Sequence, residues 1–194
     1  AGISLGEGTS VCIDRARTHS GSEDDGILTV SGGAGGAGIG RDCNAGRERS
    51  GHILIRGGVI TAAGTGGGAG IGAGKRGALG TILIVGGTVV STGGAGGGAG
   101  IGGAVGAPVG DISIRGGSIT AAAVYHAAAI GAGVQGECGD ILITGTARIV
   151  KALGGNPGAD IGACLFGGCG SVVISGAADI GGARLWTRPG ISLR

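Results

Sequence analysis

The feature that most constrains this chain is a fixed distance. An isoleucine set among small residues, three times within "GGAGIG", recurs at Ile39, Ile71, Ile101, Ile130 and Ile161. From Ile71, Ile101, Ile130 and Ile161 the next strand-like apolar residue follows after 11 positions, at Ile82, Ile112, Ile141 and Val172; only Ile39 to Ile53 takes 14. A constant internal gap with length changes confined elsewhere is the signature of stacked units whose strands are fixed and whose loops accept insertions.

The stretches "GILTVSGG", "GHILIRGG", "GTILIVGG", "GDISIRGG", "GDILITGT" and "GSVVISGA" align as one strand family, with first apolar residues Ile27, Ile53, Ile82, Ile112, Ile141 and Val172. A second family is the "VITA" type at residues 59–62, 88–91 and 118–121, and a third surrounds "AGIG". Apolar residues recur at i and i+2, so alternation points Ile53 and Ile55 inward and Leu54 and Arg56 outward, and a helical period is excluded. Glycine pairs such as Gly57-Gly58 suit sharp corners. The expected fold is all-β: a single right-handed parallel β-helix, or β-solenoid, of about five coils of roughly 29–31 residues with three short strands each. Residues 1–26 read as an N-terminal cap or irregular first coil, 27–180 as the repeats, and 181–194 as a C-terminal cap or truncated coil whose Trp186 covers the open core.

Composition narrows function. Glycine occupies 54 of 194 positions without a strict third-residue period, which excludes collagen, and an apolar fraction of 42% excludes a solvated coil. A net charge of +2 and three aromatic residues give no basis for nucleic-acid binding, and no run is apolar enough to span a membrane. The absence of an initiator methionine suits a processed chain or a piece of a longer one.

Candidate sites are few. The polar cluster "RDCNAGRERSGH" contains Arg41, Asp42, Arg47, Glu48, Arg49 and His52 and coincides with the one lengthened gap, the place where a solenoid carries a binding loop. Asp14, His19, Glu23, Asp24 and Asp25 form an acidic stretch that could hold a cation or be solvated. Cys138 and Cys169 each follow their motif isoleucine by eight residues, so stacking brings them within disulfide range; Cys12 with Cys43 is a weaker pair, leaving Cys164 over. The outward row Leu54, Leu83, Ser113, Leu142, Val173, beside Arg56, Val85, Arg115, Thr144, Ser175, suggests lateral packing through Leu54, Leu83 and Leu142. "GAGKR" at Lys75 lacks the first glycine and the hydroxyl residue of a phosphate loop, and neither a metal-ligand spacing nor a catalytic constellation is present.

Units of the form "GDISIRGGSITA" followed by "GGAGIGG" resemble glycine-rich β-helical repeats of bacterial cell-surface and secreted proteins over residues 27–180. More distantly they resemble calcium-containing, carbohydrate-binding β-helix domains of plant-wall-degrading bacteria, whose pattern carries an Asp pair before the glycine and isoleucine. Only Asp160 keeps an acidic residue there, where Gly38, Gly70, Gly100 and Ala129 stand in the other units. The resemblance implies an extracellular or cell-surface place, a polysaccharide or surface glycan as partner, and calcium at most near Asp160. The leading expectation is a non-enzymatic module for adhesion, carbohydrate binding or assembly, with no required cofactor. The alternatives are a filament or coat subunit binding copies of itself, a polysaccharide lyase or hydrolase, and an ice-binding face built on Thr61, Val90, Thr120 and Val150.

Overall fold

The computed structural model describes residues 1–17, 23–24, 26–49 and 51–186. No helix is found among them, and three parallel sheets stack as a β-solenoid of about five turns. Sheet 1 contains Ser10–Ile13, His52–Ile55, Ile82–Ile84, Ile112–Ile114, Ile141–Ile143 and Val172–Ile174. Sheet 2 contains Ile27–Ser31, Val59–Ala63, Thr88–Thr92, Ser118–Ala122 and Arg148–Leu153. Sheet 3 contains Ile3–Ser4, Ile39–Gly40, Ile71–Gly72, Ile101–Gly102, Ile130–Gly131, Ile161–Gly162 and Leu185–Trp186. Each coil visits the sheets in that order, so the inside of the coil is a triangle of aliphatic ladders spaced about 4.8 Å apart.

The ladders follow the expected register. Ile53, Ile82, Ile112, Ile141 and Val172 pair each with the next along one ladder, and Ile71, Ile101, Ile130 and Ile161 do so along another. These residues are sealed from solvent, and each fully buried isoleucine contributes about 1.5–3 kcal/mol of transfer free energy. Leu79, Val109, Cys138 and Cys169 extend a further rung row between sheets 3 and 1. The glycine after each motif isoleucine is required by close stacking: a Cβ on Gly40 would lie 1.9 Å from the Gly72 carbonyl oxygen, and φ there is 136°.

One alignment is corrected. Ile27, placed in the first strand family, pairs with Val59 in sheet 2 and is 81% exposed. The sheet 1 strand of the first coil is Ser10–Ile13, whose Val11 pairs with Ile53. The stack therefore begins before residue 27. Between the sheet 1 strand ending at Ile13 and the sheet 2 strand beginning at Ile27, the described residues form a two-stranded antiparallel ribbon, Ala16–Arg17 with Glu23–Asp24. At the other end Leu185 pairs with Ile161, so sheet 3 continues past residue 180. The Trp186 side chain, His19 and Asp25 lie outside the described residues, as do the side chains of Glu23 and Asp24.

Candidate functional site

The cysteines resolve first. Cys138 and Cys169 form a disulfide between adjacent coils, with Cα atoms 4.5 Å apart. Cys12 and Cys43 are both free, against the weaker pairing: Cys12 lies on the outer face of sheet 1 beside Leu54, whereas Cys43 packs near Gly35. Cys164 is buried, its thiol donates to the Gly133 carbonyl at 2.9 Å, and burial pushes its pKa up to about 11.

The cluster nominated from sequence divides. Arg41 is not a surface ligand contact: it is 3% exposed and donates to the Leu5 and Ala45 carbonyls, because the lengthened loop folds over it. Asp42 accepts hydrogen bonds from the Ser4 hydroxyl and the Ala1 amine. His52 Nδ1 accepts from the Thr81 N–H at 3.3 Å and meets its hydroxyl at 2.9 Å. Glu48 is exposed, and Arg49 reaches Glu137 at 3.4 Å across the coils between them. Arg47 lines a cleft with Arg76, Gly106, Pro108 and Gln135, with a volume of about 570 Å³.

Register explains that cleft. The fifth residue after each motif isoleucine is Asn44, Arg76, Gly106, Gln135 and Phe166, and all five have φ between 56° and 62°. They form a row of left-handed turn tips along the solenoid edge. Gly106 leaves a gap between Arg76 and Gln135, since the nearest atom to a Cβ built there is Arg76 Cγ at 3.8 Å.

A second depression, of about 390 Å³, lies on the outer face of sheet 1, where Ser113 interrupts the row Leu83, Ser113, Leu142. Asp111 and Asp140 stand on one rim, Arg115 on the other, and Leu142 and Val173 line its floor. Both carboxylates are fixed by the next coil: Asp111 Oδ1 accepts from the Asp140 N–H at 2.9 Å, and Asp140 Oδ1 from the Ser171 N–H at 2.7 Å. No hydrogen bond to either Oδ2 is seen among the described residues. Arg115 Nε donates to the Ser113 hydroxyl at 3.2 Å. Leu54, Leu83 and Leu142 are half-buried on this face. Sequence reasoning recorded the Ser113 break as part of a row and missed the notch; Asp111 and Asp140, each one residue before its strand, were the available signal.

The acidic residue that kept the calcium pattern has other partners. Asp160 accepts from Arg184 Nε, Arg184 Nη2 and the Arg184 and Gly154 N–H groups, at 2.8–3.0 Å. Burial raises its pKa, and the Arg184 guanidinium with the two N–H groups more than offsets this, so the carboxyl sits below its ordinary value. Its oxygens are thus committed to closing the last turn. Asp14 Oδ1 accepts from the Arg15 N–H. Among the described residues no three His, Cys, Asp or Glu side chains gather to hold a metal. On sheet 2 the outward row runs Thr61, Val90, Thr120, Lys151: a bulge after Ile119 places Val150 out of register, so the threonine–valine array expected there is broken.

Comparison with protein-family models, with curated proteins and with solved structures finds no match.

Proposed function

We propose that the protein is a non-enzymatic binding module for a polysaccharide or surface glycan, acting outside the cell or at its surface, with the Ser113 notch as its sugar-contacting site. The observation that carries this reading is the pair of carboxylates locked by neighbouring coils, each with an oxygen left to accept from a ligand. Sugar hydroxyls donate in pairs to such oxygens, and the C–H face of a sugar suits the Leu142 and Val173 floor. Because each acceptor lies one residue before its strand with Oδ1 held by an N–H of the next coil, little side-chain entropy is lost on binding. The resemblance of the units to repeats of secreted and surface proteins agrees with it.

A hydrolase is the reading to separate from this one, since Asp111 and Asp140 are two carboxylates one coil apart. Both side chains are exposed, without the apolar surround that keeps a general acid protonated. Asp111→Asn with Asp140→Asn retains the Oδ1 acceptors and removes the charge. On a neutral glycan array the double variant is expected to bind about tenfold more weakly than wild type, the loss of charge-assisted hydrogen bonds. Unchanged binding, or no glycan retained, rejects the notch as a sugar site, and release of reducing ends makes it an active site. Lateral self-association through Leu54 and Leu83 is the remaining possibility. It predicts assemblies that sediment for wild type and not for Leu54→Glu with Leu83→Glu.

A further inference from the structure

We infer that the edge cleft between Arg47 and Gln135 is a second site, separate from the Ser113 notch, and that it takes the oxyanion of an acidic polysaccharide. The argument begins with charge. Arg47 and Arg76 come from different coils, line one cleft, and are both exposed. Neither is ion-paired among the described residues, although Arg49 beside them is held by Glu137. Two guanidinium groups without a carboxylate present a concentrated donor surface, and planar guanidinium donors match carboxylate and sulfate oxygens.

Shape then selects among anions. The cleft volume of about 570 Å³ falls among sites for small organic ligands and far exceeds what a bare inorganic ion fills. Its far end is neutral, offering Pro108 and the Gln135 amide. A ligand with an anionic group at one end and hydroxyls or ring C–H groups at the other fits this division. Because Arg47, Arg76, Gly106 and Gln135 lie on successive coils, the cleft runs along the solenoid axis for about three coil spacings of 4.8 Å, which suits an extended polymer. The left-handed turn tips hold Arg76 and Gln135 outward, and Gly106 supplies the space between them. The inference takes from the proposed function only that the ligand is a glycan.

The test uses paired polymers that differ in charge alone: polygalacturonate against its methyl ester, and dextran sulfate against dextran. Wild type is expected to bind at least one charged member about tenfold or more tightly than its neutral partner, more weakly as salt rises; which pair responds tells carboxylate from sulfate. Arg47→Ala with Arg76→Ala should abolish that preference. Arg148→Ala with Lys151→Ala removes the same two positive charges from sheet 2 and should preserve it. Gly106→Gln keeps every charge and fills the gap with a residue that Gln135 shows can adopt this φ; it should lower the melting temperature slightly, through left-handed strain, and weaken binding measured well below that temperature. The inference is overturned if neither charged polymer is preferred, if both double variants lose the preference equally, or if Gly106→Gln binds as wild type. Neutral-glycan binding through the notch is expected to survive in every one of these variants, so failure of the cleft and failure of the notch are read separately.

Discussion

The middle coils and the two ends of the solenoid are built on the same rungs and differ in what surrounds them. In the middle, the corner from Ile55 to Val59 takes three residues, and Ile82, Ile112 and Ile141 are completely sealed. In the first coil the corresponding corner, between Ile13 and Ile27, takes 13 residues, and Val11, Ile13, Leu28 and Val30 are only half-buried. At the last coil Ile174 and Leu185 are likewise half-buried. An end strand has a coil on one side only, so its rung keeps about half its neighbours. Loop closure cost grows slowly with length, which lets a corner lengthen without disturbing the strands it joins. The lengthened loop after Ile39 illustrates the benefit: it carries Arg47 into a cleft formed with later coils.

That contrast can be broken most severely at a middle rung. Ile112→Ala should cost about 4 kcal/mol because the rigid coils above and below cannot collapse into the void, whereas Leu28→Ala should cost about 1–2 kcal/mol. Guanidinium titration of the two variants measures the gap, and equal losses would mean that the ends are as tightly packed as the middle. Next comes the disulfide, which ties the third rung of the row Leu79, Val109, Cys138, Cys169, where Cys138 is buried, to the half-buried last one. Its 31-residue separation gives about 3–4 kcal/mol of loop entropy, so Cys138→Ser with Cys169→Ser should lose most of that and expose the final coil to hydrogen exchange before the middle.

A smaller effect than the loss of a middle rung or of the disulfide concerns Asp160 and Arg184. Asp160→Asn should cost about 2 kcal/mol at pH 7, chiefly in the last turn. The sign with pH follows from the lowered folded pKa of Asp160: its stabilisation is fully present above the unfolded value near pH 4 and is lost as pH falls through the folded value. The difference between wild type and variant in urea titrations should therefore shrink as pH falls below about 4. A difference that persisted at the acid end would place the interaction elsewhere.

Much of the core was legible because an interior ladder repeats its residue type at constant spacing. The disulfide followed from the same arithmetic, eight residues after Ile130 and Ile161. Ile27 was misplaced because a strand of sheet 1 and a strand of sheet 2 have the same two-residue alternation, and "GILTVSGG" resembles "GHILIRGG" more closely than "SVCI" does. The corrective signal was present: Leu28 precedes Ile39 by 11 residues, as Ile60 precedes Ile71 and Ile119 precedes Ile130. The burial of Arg41 was not legible, since nothing local reveals that a loop closes over it. Asp160 was legible as an exception to the glycine pattern, and its partner, 24 residues away, was not.

The sequence alone determined the period, the inward residues and the stacking of Cys138 on Cys169, since each depends only on position within a repeat and on the two-residue alternation of a strand. Tertiary structure decided which sheet each strand joined, which charges were buried or paired, and where gaps in the outer rows opened into a notch and a cleft. Those outcomes depend on groups from different coils meeting at the edge, where the glycine-rich repeat exerts no constraint on what the side chains do.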